Sequence, residues 1–205
     1  MSLFFESRET IPITLDLDAE KFYFQHLHAS FLLETLHFPV RNNQITPFLI
    51  FVRYLLRSNL CFDIAFSLPI QHKQSKIALM YGDYFLSKAG AYFQPFLDYI
   101  LLRKLLVNTL KRISKSQWLQ PVSITSRSDF YRMVNLRYGS VFQFCMKAPL
   151  LMNHQAQAWE KNKALKANAL ALYCTFLKNS PLTNLYKQKQ SKNFELFRLR
   201  KYLDL

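Results

Sequence analysis

The scarcity of glycine is the feature that most constrains the fold of this chain. Only three glycines occur in 205 residues, at positions 82, 90 and 139. Strand-rich folds need many tight turns, and tight turns need residues that tolerate positive φ. The eight prolines fall mostly between apolar stretches, where they end helices. The sequence therefore predicts long helices joined by a few loops.

Apolar residues at helical spacing divide the chain into six or seven segments. The segment 44–67 is apolar nearly all round apart from Arg53 and Arg57, so we expect it at the centre of a bundle. Ser128 or Asp129 is expected to cap the fifth segment. The predicted helices cover 19–37, 44–67, 75–93, 94–120, 130–152 and 153–178, and the end of 183–205 is also expected to be helical.

This pattern predicts an all-α, single-domain bundle of six to seven helices. An N-terminal arm of residues 1–18 lacks periodicity and precedes a single helical domain of residues 19–205. The N-terminus has no apolar stretch suited to a signal peptide, and no run of apolar residues is long enough to span a bilayer. We therefore expect a cytoplasmic protein, with peripheral contact to a membrane as a further option.

The charge of the chain favours an anionic partner. The formal net charge is +14, and five of the 13 acidic residues fall within the first 20 positions. Nucleic acid, a phosphorylated ligand, an anionic membrane and an acidic protein all suit such an excess. The alternative interpretation is a basic surface that is solvated and binds no ligand.

Residue patterns typical of catalysis are missing. Cys61, Cys145 and Cys174 are widely spaced in apolar surroundings, so each is predicted to be a small buried hydrophobe. His26 and His28 stand two apart and would point to different helix faces, which does not suit a metal site. The acidic residues of the body of the chain are too scattered to predict a carboxylate pair or a Mg²⁺ cluster.

Three stretches in order resemble trans-prenyl diphosphate synthases over about residues 40–152. These are "RNNQITPFLIFVRYLL", then "YGDYFLSKAGAYF" with the helix that follows it, and "SDFYRMVNLRYGSVFQFCMKAPLL". In that family a Gly-Asp followed by aromatic and aliphatic residues opens a long helix, which matches the structural motif Gly82, Asp83 and Tyr84. The resemblance implies an isoprenoid-synthase-like bundle.

The departures from the family concern its catalytic residues. Active members carry an aspartate-rich motif before the Gly-Asp helix, where this chain has Asp63 alone. They carry a second such motif after the fifth helix, where this chain has no aspartate over 153–173. The family's diphosphate-binding Lys-Thr is replaced by Arg137-Tyr138. The chain therefore resembles the small, non-catalytic subunit of two-component synthases, as in heptaprenyl diphosphate synthase component I and the hexaprenyl diphosphate synthase small subunit.

This resemblance implies a partner and a role. A separate catalytic subunit would carry Mg²⁺ and hold the prenyl diphosphate substrate, and no catalytic residue, metal or cofactor is expected in this chain. The small subunit would be required for isopentenyl diphosphate condensation and would help to set product length in menaquinone side-chain synthesis. Residues expected at the partner interface or product tunnel are Phe85, Leu86, Ala89, Tyr92, Ile100 and Leu101.

Two further hypotheses come from other functional classes. The C-terminal stretch "NLYKQKQSKNFELFRLRKY" interleaves aromatic and basic residues, a combination that suits binding of RNA or single-stranded DNA. The other hypothesis is a homodimeric scaffold or a degenerate paralogue with no activity. Asp83 itself is expected to pair with a lysine or arginine of an adjacent helix.

Overall fold

A computed structural model describes residues 17–69, 71–118, 126–155, 157 and 161–177. The predicted N-terminal arm up to residue 16 and the C-terminal segment 183–205 lie outside these ranges. Within them the chain is helical and contains no β-strand, which confirms the all-α prediction. No helix in this part of the chain is long and apolar enough to cross a membrane.

Seven α-helices follow one another in the described ranges. A 3₁₀ turn, Gln94–Phe96, precedes the fourth helix, and a π-helical turn, Asn135–Gly139, joins the fifth to the sixth. The helices are α1 (Leu17–His37), α2 (Asn42–Ser67), α3 (Lys73–Phe93), α4 (Ile100–Trp118), α5 (Arg127–Val134), α6 (Ser140–Met152) and α7 (Lys161–Leu177).

Three predicted helix starts are wrong, each for a local reason. The fourth helix begins at Ile100 because Pro95 lies in the 3₁₀ turn, where the missing N–H of proline is tolerated. The sixth predicted helix begins at Lys161 instead of residue 153, and His154 has a positive φ of 58° just after α6. The fifth is capped by Ser126, which forms a capping box with Asp129, so Ser128 is not the cap.

The centre of the bundle is formed by α2 and α6. The helices α2 and α3 pack against each other along their length, and α6 packs against α1, α2, α4 and α7. Eleven of the 13 residues of α6 are buried, whereas half of α2 is buried. The expectation that α2 is central is therefore met, although α6 is the more enclosed helix.

Phenylalanines hold this centre together. The Phe48 ring lies 4.7 Å from the Phe31 ring, 5.7 Å from Phe96 and 5.8 Å from Phe144. All four side chains are fully buried and come from α1, α2, the 3₁₀ turn and α6. Full burial of one such side chain contributes about 1.5–3 kcal/mol, so this cluster is a principal source of stability.

The three cysteines are buried and free, as predicted. Burial raises the pKa of the Cys61 thiol to about 12 and raises the pKa values of Cys145 and Cys174 as well. The thiols are therefore protonated at neutral pH and behave as small apolar side chains.

Two glycines of α3 have opposite surroundings. A Cβ atom at Gly82 would come within 2.6 Å of the Phe62 ring, so α2 and α3 approach closely only because no side chain stands there. A Cβ atom at Gly90 would meet nothing within 4 Å. Gly90 therefore lies outside the close contact between α2 and α3.

We therefore predict opposite effects for the same substitution at these glycines. Gly82→Ala should destabilise the fold by about 1–3 kcal/mol because it overpacks against Phe62. Gly90→Ala should stabilise it by up to about 1 kcal/mol because alanine has the higher helix propensity. Urea unfolding of both variants measures the difference, and equal changes in the free energy of unfolding would contradict the packing described for α3.

Candidate functional site

A closed polar network lies inside the bundle around Asp63. The Asp63 carboxylate contacts Nη1 of Arg137 through Oδ1 and accepts a hydrogen bond from the Tyr138 hydroxyl through Oδ2. Asp63 is 2% exposed and Arg137 is 1% exposed, so solvent is excluded from the pair. The π-helical turn places Arg137 and Tyr138, two consecutive residues, on the same carboxylate.

The remaining donors of Arg137 are bound by α4. Its Nε donates to Ser116 Oγ over 3.1 Å, and its Nη2 donates to the Ser116 carbonyl oxygen over 3.3 Å. Burial lowers the pKa of Arg137 to about 10, so the guanidinium still carries its charge at neutral pH. Such a charge is stable inside a protein only when it is paired and hydrogen-bonded, and Asp63 and Ser116 meet this requirement.

Tyr138 extends the network to α1 and α7. Its ring stacks on Tyr23 at a centroid distance of 4.7 Å, and the Tyr23 hydroxyl donates to Thr175 Oγ1 over 2.7 Å. Burial raises the pKa values of both tyrosines well above their ordinary value of 10, so both phenols remain donors at neutral pH. The network thus joins α1, α2, α4, the π-helical turn and α7.

A second polar cluster lies between α1 and α2. Glu20 Oε1 accepts a hydrogen bond from Nε of Arg53 and another from Nε of Arg57, each 2.8 Å long. Glu20 is almost completely buried, while the side chains of Arg53 and Arg57 are 24% and 11% exposed. These are the two arginines that interrupt the apolar surface of this segment, and their spacing of four residues lets both reach the same carboxylate.

A third cluster connects α4, α6 and α7. Arg112 Nη1 donates to Gln143 Oε1 over 2.8 Å, and Gln143 Nε2 donates to Asn168 Oδ1 over 2.8 Å. Burial lowers the pKa of Arg112. A Cβ atom at Gly139 would stand 2.5 Å from Asn168 Oδ1, so glycine at this point of the π-helical turn leaves room for the bonded amide.

None of these clusters is a metal centre. Within the described ranges, no group of three His, Cys, Asp or Glu side chains is placed to hold a metal ion. Asp63 offers one carboxylate, and both of its oxygens already contact Arg137 and Tyr138. A Mg²⁺ ion bound to diphosphate needs several carboxylate oxygens, so these residues do not fit it.

The predicted interface residues fall into two groups. Phe85 and Ala89 are buried in the core, and Leu86 is partly buried against it. Tyr92, Ile100 and Leu101 are 38%, 56% and 45% exposed. The second group lies on the surface where α3 ends and α4 begins.

The residues of the Gly-Asp motif also separate. Gly82 is buried against Phe62, whereas Asp83 is exposed and Tyr84 is 38% exposed. Among the described residues, the Asp83 carboxylate makes no ion pair, so the expected partner on an adjacent helix is not found. The motif therefore combines a close helix contact with an exposed acidic side chain.

Comparisons with known proteins identify no relative. No protein-family model, no curated protein and no solved structure matches the chain. The relationship to prenyl diphosphate synthases is therefore still a hypothesis from the sequence.

We predict that Asp63→Asn destabilises the fold by about 3–5 kcal/mol. The substitution keeps the shape of the side chain but leaves the Arg137 charge buried without its counter-charge. Urea unfolding measures the change in the free energy of unfolding. Adding Arg137→Met should restore part of the loss, because the second substitution removes the uncompensated charge.

Asp83→Asn is the matched control. The same substitution at this exposed aspartate should change the free energy of unfolding by less than about 0.5 kcal/mol. Similar losses for Asp63→Asn and Asp83→Asn would contradict the assignment of Asp63 to a buried ion pair.

Proposed function

We propose that the chain is the non-catalytic subunit of a two-component trans-prenyl diphosphate synthase of the hexaprenyl or heptaprenyl type. The observation that supports this proposal best is the closed contact of Asp63 with Arg137 and Tyr138. The resemblance aligns Asp63 with the first aspartate-rich motif and Arg137-Tyr138 with the diphosphate-binding Lys-Thr. Residues that would face a substrate in an active member are here bonded to each other.

The contact of Asp63 with Arg137 and Tyr138 supports both the relationship to prenyl diphosphate synthases and the absence of catalytic activity from this chain. Asp63 and Tyr138 are 75 residues apart in sequence, yet they meet in the core, as residues of one former active site would. The guanidinium neutralises the single carboxylate, and the pair is shielded from solvent. Buried residues that are bonded to each other stabilise the fold but cannot contact a substrate. Catalytic activity would therefore have to come from another subunit.

The surface of α3 and α4 offers a place for that subunit. Eight of the 12 large apolar side chains exposed in the described ranges lie on α3, on α4 or in the connection between them. They are Leu79, Met80, Tyr84, Tyr92, Leu97, Ile100, Leu101 and Val107. Exposed apolar residues that are enriched on one stretch of the chain are candidates for a protein interface.

Charge on the same helices favours an acidic partner. Residues 71–118 contain eight lysines and arginines but only two acidic residues, Asp83 and Asp98. A partner with acidic groups around an apolar centre would complement this surface, and the attraction would speed association. The partner would supply Mg²⁺ and the prenyl diphosphate site, and the present chain would support activity and product length in menaquinone side-chain synthesis.

We predict that co-expression with a catalytic subunit carrying both aspartate-rich motifs produces isopentenyl transfer. Labelled isopentenyl diphosphate incorporation measures the activity. Leu101→Glu should lower the incorporation roughly tenfold, because it places a charge in an apolar contact. Leu33→Glu is the control, since Leu33 is 63% exposed but lies on α1.

Two outcomes would contradict the proposal. Full activity of the catalytic subunit alone, with unchanged product length, would show that this chain has no part in the reaction. Equal losses for Leu101→Glu and Leu33→Glu would remove the α3–α4 surface as the docking site.

A further inference from the structure

The cluster of Glu20, Arg53 and Arg57 carries an unbalanced positive charge. Two guanidiniums share one carboxylate oxygen, and each bond to it is 2.8 Å long. Among the described residues, no second acidic side chain forms an ion pair with either arginine. The cluster therefore has one positive charge more than its single carboxylate neutralises.

The outer ends of both guanidiniums are available for a ligand. The bonds to Glu20 use only the Nε atoms, and within the described part of the chain the Nη groups have no hydrogen-bond partner. The Nη atoms of both arginines are not fully buried. The side chains of Arg53 and Arg57 are 24% and 11% exposed. The unpaired donors therefore keep some contact with solvent.

The two guanidiniums are held in place before any ligand arrives. Arg53 lies over the Phe24 ring at 5.5 Å, and Arg57 lies over the Tyr54 and Phe85 rings at 5.8 and 5.7 Å. Together with the Nε bonds, these cation–π contacts fix the direction of the free Nη groups. A pre-oriented pair loses less conformational entropy on binding than two mobile side chains do.

We infer that Arg53 and Arg57 form a binding site for a phosphoryl group. A phosphoryl group presents several acceptor oxygens and up to two negative charges, which match the paired Nη groups better than a single carboxylate does. The site shares no residue with the Asp63 network, and none of its three charged residues is among the exposed apolar side chains of α3 and α4. It does not depend on the function proposed above.

The test measures phosphate binding by the full-length chain. Isothermal titration with inorganic phosphate at constant ionic strength should give saturable binding by the wild type. Arg53→Lys should weaken it roughly tenfold, because lysine keeps the charge but lacks the Nη fork. Arg57→Lys serves as a second variant, and circular dichroism checks that both variants are folded.

The same substitution at Arg103 is the matched control. Arg103 is exposed on α4, and the ion pairs of Glu20 are with Arg53 and Arg57, so Arg103→Lys should leave phosphate affinity unchanged. A second arm replaces inorganic phosphate by phosphatidylcholine vesicles that contain phosphatidic acid. A selective loss for Arg53→Lys in either arm supports the site and identifies the source of the phosphoryl group.

Two results would overturn the inference. One is the absence of saturable binding by the wild type in both arms. The other is binding that Arg53→Lys, Arg57→Lys and Arg103→Lys weaken equally, which would indicate attraction to the overall positive charge.

Discussion

The buried carboxylate of Asp63 connects α2 to α1, α4 and α7, because it contacts two consecutive residues of the π-helical turn at once. Arg137 continues the connection to Ser116 on α4, and Tyr138 continues it to Tyr23 on α1. A buried ion pair contributes little net stability compared with a well-packed apolar core, but removal of one member is costly. We therefore expect the pair to fix which helices meet at this point, while the apolar core around the phenylalanine cluster supplies most of the stability.

The π-helical turn makes this arrangement possible. A regular helix would separate the side chains of neighbouring residues by about 100°, whereas π turns often occur where a local change of register serves a special site. Here the turn brings Arg137 and Tyr138 onto the same carboxylate. Gly139 completes it, since its missing side chain leaves space for the Asn168 amide.

Much of the fold was predictable from the sequence, because glycine scarcity and apolar spacing are local signals. These signals predict the ends of α1, α2 and α3 to within two residues. They failed at the start of α4, because Phe96 fits the helical spacing although it belongs to a 3₁₀ turn. The polar network was not predicted, since Asp63 and Tyr138 are 75 residues apart and meet only through tertiary packing. The sequence shows Arg53 and Arg57 on one apolar segment, but no signal in it indicates that Glu20 joins them.

The closed interior and the exposed surface together favour a protein that acts through a partner. The measurement that tests this claim most directly is the mass of the chain in solution, alone and mixed with a catalytic prenyl diphosphate synthase subunit. We expect a stable complex with one copy of each chain, formed through the exposed apolar side chains of α3 and α4. A chain whose mass is unchanged by the catalytic subunit, at concentrations well above micromolar, would contradict it.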